Sequence, residues 1–423
     1  MSQTEVIFNA GEQPLNLKRY PYVARENLRA WDAADEFLVR HVREQGLASH
    51  KRMLIFNDNF GALTLSFASE NPSFSSDSHL SHAGTLVNAE ANGIDLSQCR
   101  LMHSLENPTD KVDLVLIKVA LNQSYLEDFL HRIRRHVHPA TVIIGAGMSK
   151  FIHTSTLELF ETIIGPTTTS LAEKKARLIF CKLGDTEIGQ AAAKLSEAHE
   201  AARAKRFVAT GQSASNLAGE EASVPGSVGE ERLPTSTSPY PITLESDALP
   251  YPYMQHANVF CSRQLDMGTA FMLDHLPRLH SDERVADLGC GNGLLGIEAA
   301  RRHGPEVMHF FDESYMAIES ARLNAKAQIP DVPVQFHWND CMTYFDKPLD
   351  VILCNPPFHQ GNVRGDHVAW RMLTHSYRVL RKGGRLRMVG NRHLQYHAKL
   401  TKIFGNHEVI ASNEKFVILD AIR

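Results

Sequence analysis

Two stretches of the chain lie over one another at a nearly constant displacement, and this repeat constrains the fold more than any composition value does. Arg52-Met-Leu-Ile-Phe-Asn-Asp-Asn-Phe-Gly61 registers on Arg284-Val-Ala-Asp-Leu-Gly-Cys-Gly-Asn-Gly293. Val112-Asp-Leu-Val-Leu-Ile-Lys-Val-Ala120 registers on Leu349-Asp-Val-Ile-Leu-Cys-Asn-Pro-Pro357. The displacement moves only from 232 to 237 residues between the two matches. That spacing is far longer than a solenoid repeat and has the length of a whole domain. With 423 residues, 43% of them hydrophobic, there is enough apolar material for two packed cores.

The second half has the clearer periodicity. Short apolar runs at Arg284–Leu288, Val307–Phe311, Val334–Trp338, Val351–Cys354 and Arg385–Val389 read as strands. Helical patterns at Leu294–Arg302, Ser314–Ala327 and Ala369–Leu380 separate them. Alternation of this kind predicts a parallel sheet covered by helices on both faces. Between the halves, residues 208–239 are rich in Gly, Ser, Pro and Glu and hold no aromatic residue. Such a segment buries too little surface to offset its ordering entropy. The expected division is 1–190 for the first domain, 191–245 for a helix and linker, and 246–423 for the second domain.

Composition excludes several classes. No run approaches 18 apolar residues, so no membrane span is expected, and the first residues lack the basic flank and apolar run of a secretory signal. The six cysteines form no Cys-x-x-Cys pair, which argues against a zinc site or disulfide scaffold and fits a reducing cytoplasm. No metal is expected. The net charge of −4 is unevenly spread: residues 351–405 carry ten Lys or Arg against the single acid Asp366. A basic face on an acidic protein is a candidate polyanion surface.

The chemistry concentrates in the second half. Asp287-Leu-Gly-Cys-Gly-Asn-Gly293 follows a strand and opens a helix, and its glycines let backbone approach a ligand without an intervening Cβ. The spacing is not that of the dinucleotide fingerprint. Led by an acid at the strand end, it is instead similar to the first motif of S-adenosylmethionine (SAM)-dependent methyltransferases. Asp287, Gly289, Cys290, Gly291, Asn292 and Gly293 are therefore the expected cofactor loop. Asp312, at the end of the next strand, is placed to accept the ribose hydroxyls. Asp340, after the third strand, is the candidate acceptor for the adenine amino group.

Asn355-Pro-Pro-Phe358 ends the fourth strand, where two prolines prevent the ladder from continuing. The Asn355 side-chain oxygen and main-chain carbonyl could both accept hydrogens from one planar amino group, and Phe358 could stack on its base. Asn355, Pro356, Pro357 and Phe358 are thus the expected catalytic set, with Asn355 also bordering the cofactor. Together with the glycine loop, they predict an amino-group N-methyltransferase working by positioning and polarisation. Phe260–Thr269 is a candidate flap over the methionine end of the cofactor, with Asp266 and Gly268 as contacts.

The first copy lacks these features. Asn57 and Asn59 replace Gly289 and Gly291, Ile55 replaces Asp287, and Lys118-Val-Ala-Leu121 replaces the Asn-Pro-Pro-Phe tetrapeptide. No SAM binding is expected there. Two basic clusters, 131–136 and 174–177, are candidates for phosphate contact.

The chain resembles the RlmG/RsmC family of bacterial ribosomal RNA guanine-N2 methyltransferases. Beyond the two motifs, the likeness is carried by Ala30-Trp-Asp-Ala-Ala-Asp35, Ile152-His-Thr-Ser-Thr-Leu-Glu-Leu-Phe160, Gly165-Pro-Thr-Thr-Thr169, His256-Ala-Asn-Val-Phe260 and Asn391-Arg-His-Leu394. It implies two tandem Rossmann-like class I methyltransferase domains, the N-terminal copy degenerate and the C-terminal copy catalytic. It further implies SAM as cofactor and one guanine of 23S rRNA, protein-free or partly assembled, as substrate. A monomer is expected, the second copy standing in for a dimer partner. Methylation of 16S rRNA by the RsmC branch, of DNA adenine N6 or of a protein glutamine are the alternatives, followed by RNA binding without turnover. The 208–239 segment looks longer than the family's usual connection.

Overall fold

The computed structural model describes residues 6–23, 26–49, 51–190, 237–260, 264–357 and 363–423. Most of the expected linker and Phe358 lie outside the described residues.

Each half opens with a two-stranded hairpin, β1 (Ile7–Phe8) with β2 (Leu15–Asn16), and later β10 (Ile242–Leu244) with β11 (Tyr253–Gln255). Each then builds a seven-stranded sheet. The first contains β3 (Met53–Phe56), β4 (Ser73–Ser76), β5 (Arg100–His103), β6 (Leu114–Lys118), β7 (Val142–Met148), β8 (Thr167–Thr169) and β9 (Ala176–Cys181). The second contains β12 (Arg284–Leu288), β13 (Val307–Asp312), β14 (Val334–Trp338), β15 (Leu349–Cys354), β16 (Leu380–Asn391), β17 (Glu408–Ser412) and β18 (Phe416–Ile422). The strand orders, β5-β4-β3-β6-β7-β9-β8 and β14-β13-β12-β15-β16-β18-β17, are the same topology twice.

Five strands of each sheet are parallel and covered on both faces, which is why Met53-Leu-Ile-Phe56 and Leu114-Val-Leu-Ile-Lys118 are buried at every position. The remaining two, β9 with β8 and β18 with β17, run antiparallel along one edge. These edge pairs depart from the purely parallel sheet that alternation predicted. The strand order of each sheet reverses beside its first strand, β3 or β12, and in such sheets the ligand crevice opens at that strand's carboxyl end. No described helix is long and apolar enough to cross a membrane.

The halves dock through equivalent elements. Ser78 and Ser314, each the N-cap of the helix after the second strand, form an antiparallel bridge. The His79 N–H donates to the Glu313 carbonyl at 2.8 Å, and the Tyr315 N–H donates to the Asp77 carbonyl at 2.9 Å. The side chains repeat the exchange, the Ser78 hydroxyl donating to Glu313 at 2.6 Å and the Ser314 hydroxyl to Asp77 at 2.5 Å. This reciprocity is the signature of a two-fold interface, here between two halves of one chain. The Asp77 carboxylate also accepts from Ser104, Asn258 and the Met316 N–H, so four donors within the protein meet it.

Candidate active site

The glycine loop bridges β12 and the helix Leu294–His303 at the crevice. Gly289, Gly291 and Gly293 have φ of +74°, +55° and +83°. The N–H groups of Gly289 and Cys290 both donate to the Phe311 carbonyl, tying the loop to β13. Gly293 is held for packing, since a Cβ there would meet Ala321 Cβ at 3.0 Å and Ile297 Cδ1 at 3.1 Å. The first copy retains this glycine as Gly61, φ +88°. By contrast, a Cβ on Gly291 would meet nothing among the described residues closer than Val259 Cγ1 at 3.9 Å.

Asp287 is turned inward. It is 1% exposed, and one carboxylate oxygen accepts from the Gly296 N–H at 2.8 Å. Burial pushes its carboxyl up to about 7. Asn292 is also buried, donating to Gln255 of β11 at 2.8 Å and capping the Leu294 N–H at 3.2 Å. The hairpin therefore braces the loop from beneath. Cys290 is buried too, and burial raises its thiol well above the ordinary range, so it carries no nucleophile.

Asp312 lies at the rim of the loop, at the end of β13. Its oxygens accept from the Gly291 N–H and the Ser314 N–H, each at 2.9 Å, and burial pushes its carboxyl up to about 6. Asp340, 3% exposed, is paired with Arg371.

Asn355 stands at the carboxyl end of β15, one residue past Cys354, the last residue of β15 to pair with β16. Its amide nitrogen donates to Thr269 Oγ1 at 2.9 Å and to Asp266 Oδ2 at 3.2 Å. Its amide oxygen is buried and has no partner among the described residues. A buried acceptor left open is costly unless a ligand meets it. Thr269 and Arg371 were not singled out from sequence as site residues. The available signal was the repeat itself, since Asp32 and Asp35 register on Asp266 and Thr269 at a displacement of 234.

The basic stretch that suggested a polyanion surface is largely occupied within the fold. Arg387 grips Asp420 with two bonds of 2.7 Å, Arg381 pairs with Asp350, and Arg378 donates to the Met342 carbonyl. In the first copy, Arg134 binds the carbonyls of Ile163, Ile164 and Gly184, and Arg132 pairs with Asp128 at 2.8 Å. Lys174, Lys175 and Arg177 stand exposed.

Comparison with known proteins places this geometry in a family. Residues 5–185 match the model of the RLMG N-terminal domain, and residues 251–420 match the methyltransferase small domain. A ribosomal RNA large subunit methyltransferase G from Aeromonas hydrophila is 41% identical over 412 residues, covering 97% of each chain. One from Streptomyces avermitilis is 40% identical, covering 96% of each. The chain belongs to the ribosomal RNA large subunit methyltransferase G family. The fold of this family member is also that of a T. thermophilus 16S rRNA N2 G1207 methyltransferase (RsmC), solved in complex with AdoMet and guanosine. The two align with a TM-score of 0.68 over 99% of this chain and 97% of that one, at 16% identity.

Proposed function

We propose that the chain is a SAM-dependent methyltransferase of large-subunit, 23S ribosomal RNA that modifies the exocyclic N2 of one guanine. The observation that carries this reading is the Asn355 oxygen, a buried acceptor held open at the carboxyl end of β15. An exocyclic amino group has two hydrogens, and the Asn355 side-chain and main-chain oxygens are two acceptors on one residue. Neither Pro356 nor Pro357 has an N–H, so neither competes for those oxygens. Two such bonds draw the amino lone pair out of the ring and toward the methyl donor. No strong base is required before transfer, since the nitrogen would attack with its lone pair as S-adenosylhomocysteine departs, and one of its two original hydrogens would pass to solvent as a proton once the methyl is in place.

The cofactor fits the residues present. Among the described residues a Cβ on Gly291 would have no neighbour closer than 3.9 Å, a Cβ on Gly289 would press on Met372 Cε at 3.1 Å, and Asp312 at the rim offers carboxylate oxygens to ribose hydroxyls. When bound, SAM supplies an electrophilic methyl group. Asp340, paired with Arg371, would meet the adenine amino group. Asp287 and Asn292, both turned inward, would hold the loop's shape instead of touching the cofactor.

The N-terminal half serves as a scaffold that orients RNA. Its exposed Lys174, Lys175 and Arg177 are the candidates for phosphate contact, and its docking through a pseudo-two-fold interface supports a monomer. The naming of the relatives and of the solved neighbour supports ribosomal RNA over DNA or protein as substrate. The cytoplasm is where such RNA is met, protein-free or partly assembled.

Methyl transfer from labelled SAM to protein-free 23S and 16S rRNA, followed by nucleoside analysis, tests this. N2-methylguanosine in 23S alone is expected, and Asn355→Ala should reduce it by roughly 10²–10³-fold with SAM binding retained. Label confined to 16S would move the chain's substrate to the small subunit. No label in either would overturn the reading.

A further inference from the structure

We propose that Asp266 and Thr269 are positioning residues for methyl transfer, fixing which way round the Asn355 amide sits. The inference rests on the reading of Asn355 as the acceptor of the substrate amino group. An Asn amide has nearly the same shape in its two orientations, and only hydrogen bonding selects between them. Here the selection is explicit. Asp266 Oδ2 accepts from the Thr269 N–H at 2.8 Å and from the Thr269 hydroxyl at 3.2 Å. A hydroxyl that donates to a carboxylate presents its lone pairs elsewhere, and those lone pairs meet the Asn355 nitrogen at 2.9 Å. The same carboxylate oxygen meets that nitrogen directly at 3.2 Å. Both acceptors exclude the Asn355 oxygen, so it must turn to the opposite side, where it is buried and has no partner among the described residues.

The acid-linked chain also polarises the amide. Hydrogen bonds in series strengthen one another, so donation by the nitrogen makes the oxygen a better acceptor. In the flipped orientation the residue would present an NH₂ to the substrate NH₂, donor against donor.

The first copy supports the assignment independently. Asp32 and Asp35 occupy the registered positions, and both bind Lys118, the residue registered on Asn355, at 2.6 and 2.7 Å. The helix-start pair grips the fourth-strand residue in both halves. An ammonium has donors only, so the same grip there leaves no acceptor open.

The test compares Thr269→Val with Thr269→Ser and Asp266→Asn in the full-length enzyme, reading kcat, KM for rRNA, SAM affinity and thermal midpoint. Valine keeps the shape and removes the hydroxyl. It should lower kcat roughly tenfold to a hundredfold while SAM affinity and rRNA KM stay within about twofold. Serine restores the hydroxyl and should return kcat to within about threefold of the parent. Asp266→Asn, whose own amide could pair with either orientation of Asn355, should lower kcat in the same way and carries the comparison should the valine variant fail to fold. Unchanged kcat in Thr269→Val, or a loss that tracks SAM affinity and thermal midpoint without serine rescue, would overturn the proposal. The Asn355→Ala control separates the two readings. An inactive alanine variant beside an active valine variant removes only the positioning role, whereas an active alanine variant removes Asn355 itself.

Discussion

The two copies keep the same corner and fill it differently. In the second, Asn355 is held by Asp266 and Thr269, and its oxygen has no partner among the described residues. In the first, Lys118 closes the corner as an ion pair with two acids. Burial raises the Asp35 carboxyl and opposes the charge on Lys118, but Asp35 and Asp32 outweigh that and hold the lysine above its ordinary value. The pair is therefore ionic at neutral pH. A second substitution completes the closure. Asn57, where the second copy has Gly289, turns its amide back and donates to the Lys118 carbonyl at 3.1 Å. That carbonyl is the counterpart of the Asn355 main-chain oxygen. The first copy thus satisfies internally the carbonyl whose counterpart in the second is the main-chain oxygen proposed to meet the substrate amino group.

The largest effect should come from moving that closure into the working copy. Asn57 adopts φ +63°, close to the +74° of Gly289, and asparagine tolerates this region better than most residues. Gly289→Asn should therefore fold, with the flexible end of Met372, 3.1 Å from where the Cβ would stand, giving way and the thermal midpoint falling only slightly. Its side chain would occupy the cofactor's approach and reach for the Asn355 carbonyl. Methyl transfer should fall by more than roughly 10³-fold and SAM binding should be lost, as read by calorimetric titration. Retained SAM binding would mean that the first copy lost its cofactor for another reason.

The reverse change probes stability. Lys118→Met in the first copy leaves Asp35, 5% exposed, buried without its counter-ion. Removing one member of a buried pair costs about 3–5 kcal/mol. The denaturation midpoint should drop accordingly, while SAM affinity at the second copy stays within about twofold. A loss of SAM affinity at temperatures where both variants are folded would show that the halves are coupled through their interface.

How much of this was legible in the sequence follows from where each signal resides. Strand Met53–Phe56 was legible because two-sided burial writes an unbroken apolar run, and Arg284–Leu288 because its short apolar stretch runs into the glycine loop. Edge strand β17 is largely exposed, with no clean alternation, and gave no comparable signal. The glycine loop and Asn355 were legible because close backbone approach and a blocked ladder demand particular residue types. The orientation of the Asn355 amide was not, since it depends on Asp266, 89 residues away. The basic stretch was only partly legible for a related reason. Counting charge in sequence cannot see that Arg387 meets Asp420 across β16 and β18, or that Arg371 meets Asp340.

The smallest effect sharpens a subtler difference between the halves. Each helix after the first strand has an early N–H capped by a buried acid, but the acid comes from different places. Asp287, at the strand end, meets the Gly296 N–H alone. Asp58, from the loop, meets the Leu63 N–H, the Thr64 N–H and the Thr64 hydroxyl on one oxygen. Burial raises both carboxyls, and the additional donors offset that rise for Asp58, whereas Asp287 reaches about 7. An acid whose folded value lies above its unfolded value near 4 binds more protons in the native state between the two. Its contribution to stability is complete below about pH 4 and is lost as pH rises toward 7. Asp287→Asn keeps an oxygen for the Gly296 N–H and removes the titration. Relative to this variant, the parent should lose about 2 kcal/mol between pH 5 and 8, a shift of several degrees in thermal midpoint. Asp58→Asn should flatten the profile much less, because three donors already favour the charged form. Equal slopes for the two variants would mean that the loop acid of the first copy is no better solvated than the strand-end acid it replaced.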